Sequence, residues 1–142
     1  YSGENLDSVK IKEFLTDILK SLAHSDMRSQ DFFSIDDADT TMHIEQAVPL
    51  GMIIHELATN SIKYAWQGTQ NKKIDIHIEN NNGALMLSYN DNGKGLPTNL
   101  DIKATTSLGL KLVDLFIHRQ LQGSMIYENR NGAFFKFTFT LR

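Results

Sequence analysis

Two Asn-Gly pairs, Asn82-Gly83 and Asn131-Gly132, each stand between runs in which apolar and polar residues alternate. Tight hairpin turns need positive φ at their central positions, which asparagine and glycine tolerate best, so the chain is constrained to form two antiparallel hairpins. The alternation through Ile74, Ile76 and Ile78 places the first pair of strands at 72–79 and 84–90, and the second pair falls at 125–129 and 133–141. Helical spacing fills much of the remainder. Ile11, Phe14, Leu15, Ile18, Leu19 and Leu22 define an amphipathic helix over 9–24. A second helix is expected at 45–66, with Pro49 in its first turn, and a third at 107–121, stopped by Gly123. Phe33 and Ile35 give a short strand at 31–36, followed by a polar loop at 36–40. A loop rich in Gly, Pro, Asn and Thr occupies 91–106. This order predicts an α+β fold, a two-layer α/β sandwich with a mixed, mostly antiparallel sheet and three helices on one face. Strands and helices do not alternate regularly, as a doubly wound nucleotide fold would require.

The chain is 142 residues long, a size expected for one domain spanning 1–142. A hydrophobic content of 41% with 22% charged residues excludes wholesale disorder. The net charge of −3 argues against a nucleic-acid partner bound through a basic surface. With no cysteine, disulfides, thiolate metal sites and cysteine nucleophiles are all excluded. No apolar run approaches the roughly 20 residues of a membrane span, and no signal peptide is visible, so we expect a cytoplasmic fragment without direct membrane insertion.

Three clusters carry chemistry. On the helix at 45–66, with Glu56 as zero, Asn60 falls near about +40° and Lys63 near about −20°, with Tyr64 flanking near about 80°. Leu50, Ile54, Leu57, Ala58 and Ala65 fall between about 100° and 200° and face the core. Glu56, Asn60 and Lys63 therefore form one polar stripe, which by itself also suits an ordinary solvated helix face. His55-Glu56 is no zinc-protease site, because position 59 is threonine where a second imidazole is needed. His24, His43, His77 and His118 show no ligand spacing and are expected at the surface or at edges.

Asp91-Asn92-Gly93-Lys94-Gly95 ends a strand and reads either as a tight turn or as a loop where two glycines let a ligand approach the backbone. Threonine at 98 excludes a dinucleotide fingerprint, Gly95 after Lys94 excludes a P-loop, and Gly93 and Gly95 occupy positions a calcium loop would need for ligands. The third cluster, Thr105-Thr106-Ser107-Leu108-Gly109-Leu110, opens a helix with Ser107 as its expected cap. Free amides there suit a phosphate, or simply a capped amphipathic helix.

Taken in order, the clusters resemble the nucleotide-binding elements of the Bergerat-fold ATPases (the GHKL superfamily), most closely the catalytic and ATP-binding domain of two-component sensor histidine kinases. His55-Glu56-Leu57-Ala58-Thr59-Asn60-Ser61-Ile62-Lys63-Tyr64-Ala65 resembles the N box. Asp91-Asn92-Gly93-Lys94-Gly95 resembles the first glycine box, and Ser107-Leu108-Gly109-Leu110 a reduced second one. The resemblance covers nearly the whole chain. Ala47-Val48-Pro49-Leu50-Gly51-Met52-Ile53 and the short segment between the glycine boxes look like the compact-lid subgroup.

The resemblance implies Mg-ATP as ligand. Asp91 would accept from the adenine amino group, with Gly93 and Gly95 close beside the nucleotide. Asn60 would offer its side-chain oxygen to Mg²⁺. Lys63 would balance phosphate charge, Tyr64 would lie against ribose or adenine, and amides at Ser107, Leu108 and Gly109 would hold the phosphates. Glu56 would act as general base. Two positions depart from the pattern. Thr105 and Ser107 stand where glycines are frequent, and Ala133 follows Gly132 where threonine is usual, which should cost one contact of about 1 kcal/mol. The implied partners are an upstream dimerisation and histidine phosphotransfer domain and a response-regulator receiver domain. The phosphoacceptor histidine is expected upstream, in a parent protein open to membrane anchoring elsewhere. A serine/threonine kinase of the same fold, acting on a partner-switching regulator, and a catalytically degenerate interaction module are the other readings.

Overall fold

A computed structural model describes residues 7–23, 32–65, 71–102 and 108–142. The elements run β1 (Ser8–Lys10), α1 (Ile11–Ser21), β2 (Phe33–Asp37), β3 (Thr41–His43), α2 (Ile44–Asn60), β4 (Ile74–Asn81), β5 (Ala84–Asp91), α3 (Leu108–Leu115), β6 (Ser124–Asn129) and β7 (Ala133–Thr140). A π-helical turn extends α2 over Ser61–Ala65, and another extends α3 over Phe116–Gln120.

Five strands form one sheet in the order β2-β4-β5-β7-β6. Only β2 and β4 are parallel, and the three other pairings are antiparallel, so the sheet is mixed and mostly antiparallel as expected. Asn82 and Gly83 both have positive φ in the β4–β5 turn, as do Asn131 and Gly132 in the β6–β7 turn, which is why these pairs close the two hairpins. Along β4, buried Ile74, Ile76 and Ile78 alternate with exposed Asp75, His77 and Glu79. One face of the sheet is thus covered and the other wet. Leu85, Leu87, Phe135, Phe137 and Phe139 continue the covered face, where they join Leu15 and Leu19 of α1, Ile53, Ile54 and Leu57 of α2, and Val113 of α3 in one core. This is the expected two-layer α+β sandwich.

Several boundaries differ from the sequence reading. Val9 and Lys10 lie in β1 rather than in the first helix, because Val9 pairs with buried Met42 of β3. Three-residue strands carry too little periodicity to be read, so this small sheet was not expected. β2 runs to Asp37, one residue past the expected end of the strand. The helix expected from 45 begins at Ile44, with the His43 ring accepting from the Glu45 N–H at 3.1 Å as its cap. Pro49 therefore lies in the second turn, not the first. The third helix does not end through glycine backbone freedom at Gly123. Gln122 takes the positive φ, and the Gly123 N–H bonds the Ile117 carbonyl at 2.8 Å. Gly123 is instead needed for closeness, since a Cβ there would stand 2.2 Å from the Thr138 carbonyl oxygen of β7. Asp31, His24, Trp66 and 103–107, with the expected cap Ser107, fall outside the described residues.

Candidate functional site

The end of α2, the end of β5, the start of β7 and the start of α3 meet around a cleft of about 680 Å³. Two smaller surface concavities, of about 470 and 450 Å³, lie away from these element ends, against α1 and at the start of α2. Glu56, Asn60, Lys63, Tyr64, Asp91, Gly95 and Gly109 all line the cleft. The stripe read on the helical wheel is therefore a cleft wall. Lys63 is exposed, and Tyr64, at 61% exposure, stands at the rim rather than inside. Gly93 contributes through its backbone, and Leu108 begins α3.

Asp91 is the organising group. It continues the inward parity of Leu85, Leu87 and Tyr89 along β5 and is 4% exposed. Its Oδ1 accepts from the Gly93 N–H at 3.0 Å and the Ala133 N–H at 2.9 Å, and its Oδ2 accepts from the Ser61 hydroxyl at 2.6 Å. An ionised carboxylate offers about four lone-pair sites, so three donors leave one acceptor position, and Asp91 borders the cleft. Among the described residues no salt bridge neutralises it. Gly132 makes this geometry possible: its φ is +142°, and a Cβ would lie 1.9 Å from the Asp91 carbonyl oxygen and 2.8 Å from Oδ1.

Sequence reasoning missed Ser61 and Tyr89 as site residues. Ser61 also touches the Tyr89 hydroxyl at 2.6 Å and the Leu57 carbonyl at 3.2 Å. Its single proton goes to the charged and closer acceptor, Asp91, so the Tyr89 phenol donates to Ser61. Burial pushes the Tyr89 phenol well above its usual range; the Ser61 hydroxyl, which would turn its proton to a phenolate, opposes that shift, and the negative charge of Asp91 adds to it. A signal for Ser61 does exist in the sequence. At about 140° from Glu56 it is a polar residue in the middle of the apolar arc. Thr59, also on the wall, has a buried hydroxyl oxygen without a hydrogen-bond partner among the described residues.

The other walls are mostly apolar, with exposed Lys94 beside Gly95. Leu96, Pro97, Leu100, Leu110 and Phe135 suit a flat ring, while Asp91 supplies the directional contact. For a cation, Asn60 offers a hard amide oxygen at the wall, but no group of three His, Cys, Asp or Glu side chains converges among the described residues. That donor set does not make an all-protein cage. It fits an ion such as Mg²⁺ that takes most of its ligands from phosphate and water. Among the described residues no helix is long and apolar enough to cross a membrane.

The fold and this cleft define a class: residues 45–142 match the family described as histidine kinase-, DNA gyrase B-, and HSP90-like ATPase. More than half of the chain is matched, and the chain belongs to that family. Among curated proteins, the sensor histidine kinases PdtaS of Mycolicibacterium smegmatis and Mycobacterium tuberculosis are each 30% identical over 82 residues. That match takes in 57% of this chain and 16% of each relative, so the chain spans a small part of their length. Among solved structures, the histidine kinase domain of an Erythrobacter litoralis blue-light activated histidine kinase superposes with a TM-score of 0.80 at 18% identity, covering 94% of this chain and 62% of that one. The catalytic domain of histidine kinase ThkA gives 0.74 at 22%, covering 94% and 95%. The fold is that of a histidine-kinase catalytic domain.

Proposed function

We propose that this chain is the ATP-binding catalytic domain of a sensor histidine kinase, binding Mg-ATP and passing the γ-phosphoryl group to a histidine on a separate dimerisation domain. The observation that carries the reading is Asp91, a buried carboxylate with three donors fixed and one acceptor position left at an apolar cleft. An adenine amino group is the donor that completes it, with the ring against Leu96, Leu100 and Phe135. Tyr64 at the rim covers the ribose side. Asn60 gives its side-chain oxygen to Mg²⁺, and the bound ion would supply charge neutralisation at the phosphates. Lys63 adds a positive charge on the same stripe, and amides at Leu108 and Gly109 face the phosphates from the head of α3.

Phosphoryl transfer demands positioning more than covalent chemistry from the protein. The acceptor imidazole nitrogen forms the new bond to phosphorus as the bond to the ADP oxygen breaks, and Glu56 takes the imidazole proton. The phosphoryl group then passes to an aspartate of a response-regulator receiver domain. Support for such a partner comes from ThkA, whose structure in complex with the response regulator TrrA gives a TM-score of 0.73, covering 95% of this chain and 41% of that one. The parent protein is expected to carry the phosphoacceptor histidine outside this chain.

Calorimetric titration with ADP and a non-hydrolysable ATP analogue, with and without Mg²⁺, tests the reading. Binding of the analogue that strengthens with Mg²⁺ is expected. A folded wild-type chain that binds neither nucleotide would overturn it.

A further inference from the structure

Gly109 is the second residue of α3 and carries no positive φ, so its backbone does not require glycine. Within a helix, glycine is less favourable than alanine because it loses more conformational freedom on folding. Its presence therefore calls for a steric reason. A Cβ at position 109 would stand 2.7 Å from Oε2 of Glu56 and 3.8 Å from its Cδ, the atoms it would meet within 4 Å among the described residues. Among the described residues, the atom that crowds a side chain here belongs to the proposed general base.

Nothing else fixes that carboxylate among the described residues. Its polar neighbour is His55, whose Nδ1 lies 4.0 Å from Oε1, beyond hydrogen-bond range. The Glu56 side chain, 28% exposed, ends where a Cβ at 109 would crowd it.

We infer that Gly109 is a positioning residue for Glu56: the absent side chain at the head of α3 keeps open the space in which the carboxylate stands. This inference rests on the reading of Glu56 as the proton acceptor. It gives the retained glycine of the second glycine box a task separate from closeness to phosphate. A methyl group at 109 would meet the far end of a flexible side chain, so the fold survives and the carboxylate moves. A displacement of about 1 Å at a reacting group is enough to lose one to two orders of magnitude in rate.

The test is Gly109→Ala, alone and combined with Glu56→Gln, in this chain. Three quantities are read: calorimetric affinity for Mg-ADP, Mg-ATP turnover at saturation, followed as hydrolysis to ADP and phosphate with water in place of the imidazole as the group Glu56 deprotonates, and the ¹³C resonance and titration of the Glu56 side-chain carboxyl. We expect Gly109→Ala to melt no lower than wild type and bind Mg-ADP within about twofold. Turnover should fall roughly tenfold or more, and the Glu56 resonance should move. In the Glu56→Gln background the alanine should cost almost nothing further, because no base remains to be misplaced. A weakened Mg-ADP affinity with unchanged turnover at saturation would overturn the inference and return Gly109 to the phosphates. An unmoved Glu56 resonance with unchanged turnover would overturn it as well. Wild-type turnover by Glu56→Gln alone would instead remove the general-base reading. The resonance in Gly109→Ala would still decide whether the glycine seats that carboxylate.

Discussion

Asp91 answers to four donors in the proposed complex, and substitution there separates binding from folding. In Asp91→Asn the amide oxygen can keep the Gly93 and Ala133 N–H groups, while its NH₂ turns to Ser61, whose hydroxyl is free to swing toward the Leu57 carbonyl. Stability should fall by only about 1–2 kcal/mol, and ADP affinity at least tenfold, because the amide has no acceptor left for the adenine amino group. Calorimetry and a melting curve read the two effects separately. Tyr89 makes a pH-dependent contribution. Its phenol is held well above the ordinary value of 10.0, so folding favours the neutral form. That contribution is whole below about pH 10 and is lost as pH rises from there toward the folded-state value, since the unfolded chain ionises first. Tyr89→Phe should therefore flatten the alkaline limb of a stability-against-pH curve, and an unchanged limb would remove Tyr89 as its cause. Asp91 was legible in the sequence because it closes a strand and opens a glycine pair. Ser61 and Tyr89 were less so, since their meeting depends on how α2 lies across β5, which neither segment encodes alone.

The cleft wall at 95–102 belongs to no helix or strand, and the edge strand β6 holds it. Asn129 accepts from the Leu96 N–H at 2.6 Å and donates to the Leu96 carbonyl at 3.1 Å. The Tyr127 hydroxyl donates to the Leu100 carbonyl at 3.2 Å and accepts from the Ile102 N–H at 3.3 Å. Gly95 sits directly on this clamp: its φ is +84°, and a Cβ would come within 2.5 Å of Asn129 Oδ1. Asn129→Ala should leave Leu96 without both side-chain bonds, costing about 1–2 kcal/mol in stability and loosening the wall that faces the ring. We expect ADP affinity to fall several-fold while turnover at saturating Mg-ATP stays near wild type. Unchanged ADP affinity would show that the wall stands without the clamp. The hairpin strands and long helices were legible because their periods of 2 and 3.6 run for many residues. The β1–β3 pair and the π-helical turns were not, because three to five residues are too few to display a period.

At the scale of the whole molecule, the carboxylate proposed to recognise the ligand also joins three element ends. It is the last residue of β5, it bonds the first residue of β7, and it bonds the residue that follows α2. The two layers are thus tied at the cleft, and a ligand completing Asp91 should report on global stability. A nucleotide at 100 times its dissociation constant adds about 2.7 kcal/mol to the native state. For a domain of this size that amounts to a rise of about 10 °C in Tm. The base matters as much as the phosphates. Asp91 keeps only an acceptor position toward the cleft, which suits the amino group of adenine, whereas guanine presents a carbonyl oxygen at the corresponding edge and would set two acceptors against each other. Mg-ADP should therefore raise the melting temperature, Mg-GDP at the same concentration should scarcely move it, and Asp91→Asn should abolish the preference. Equal shifts from the two nucleotides in the wild type would mean that phosphate contacts alone hold the ligand and that Asp91 serves only to join the layers.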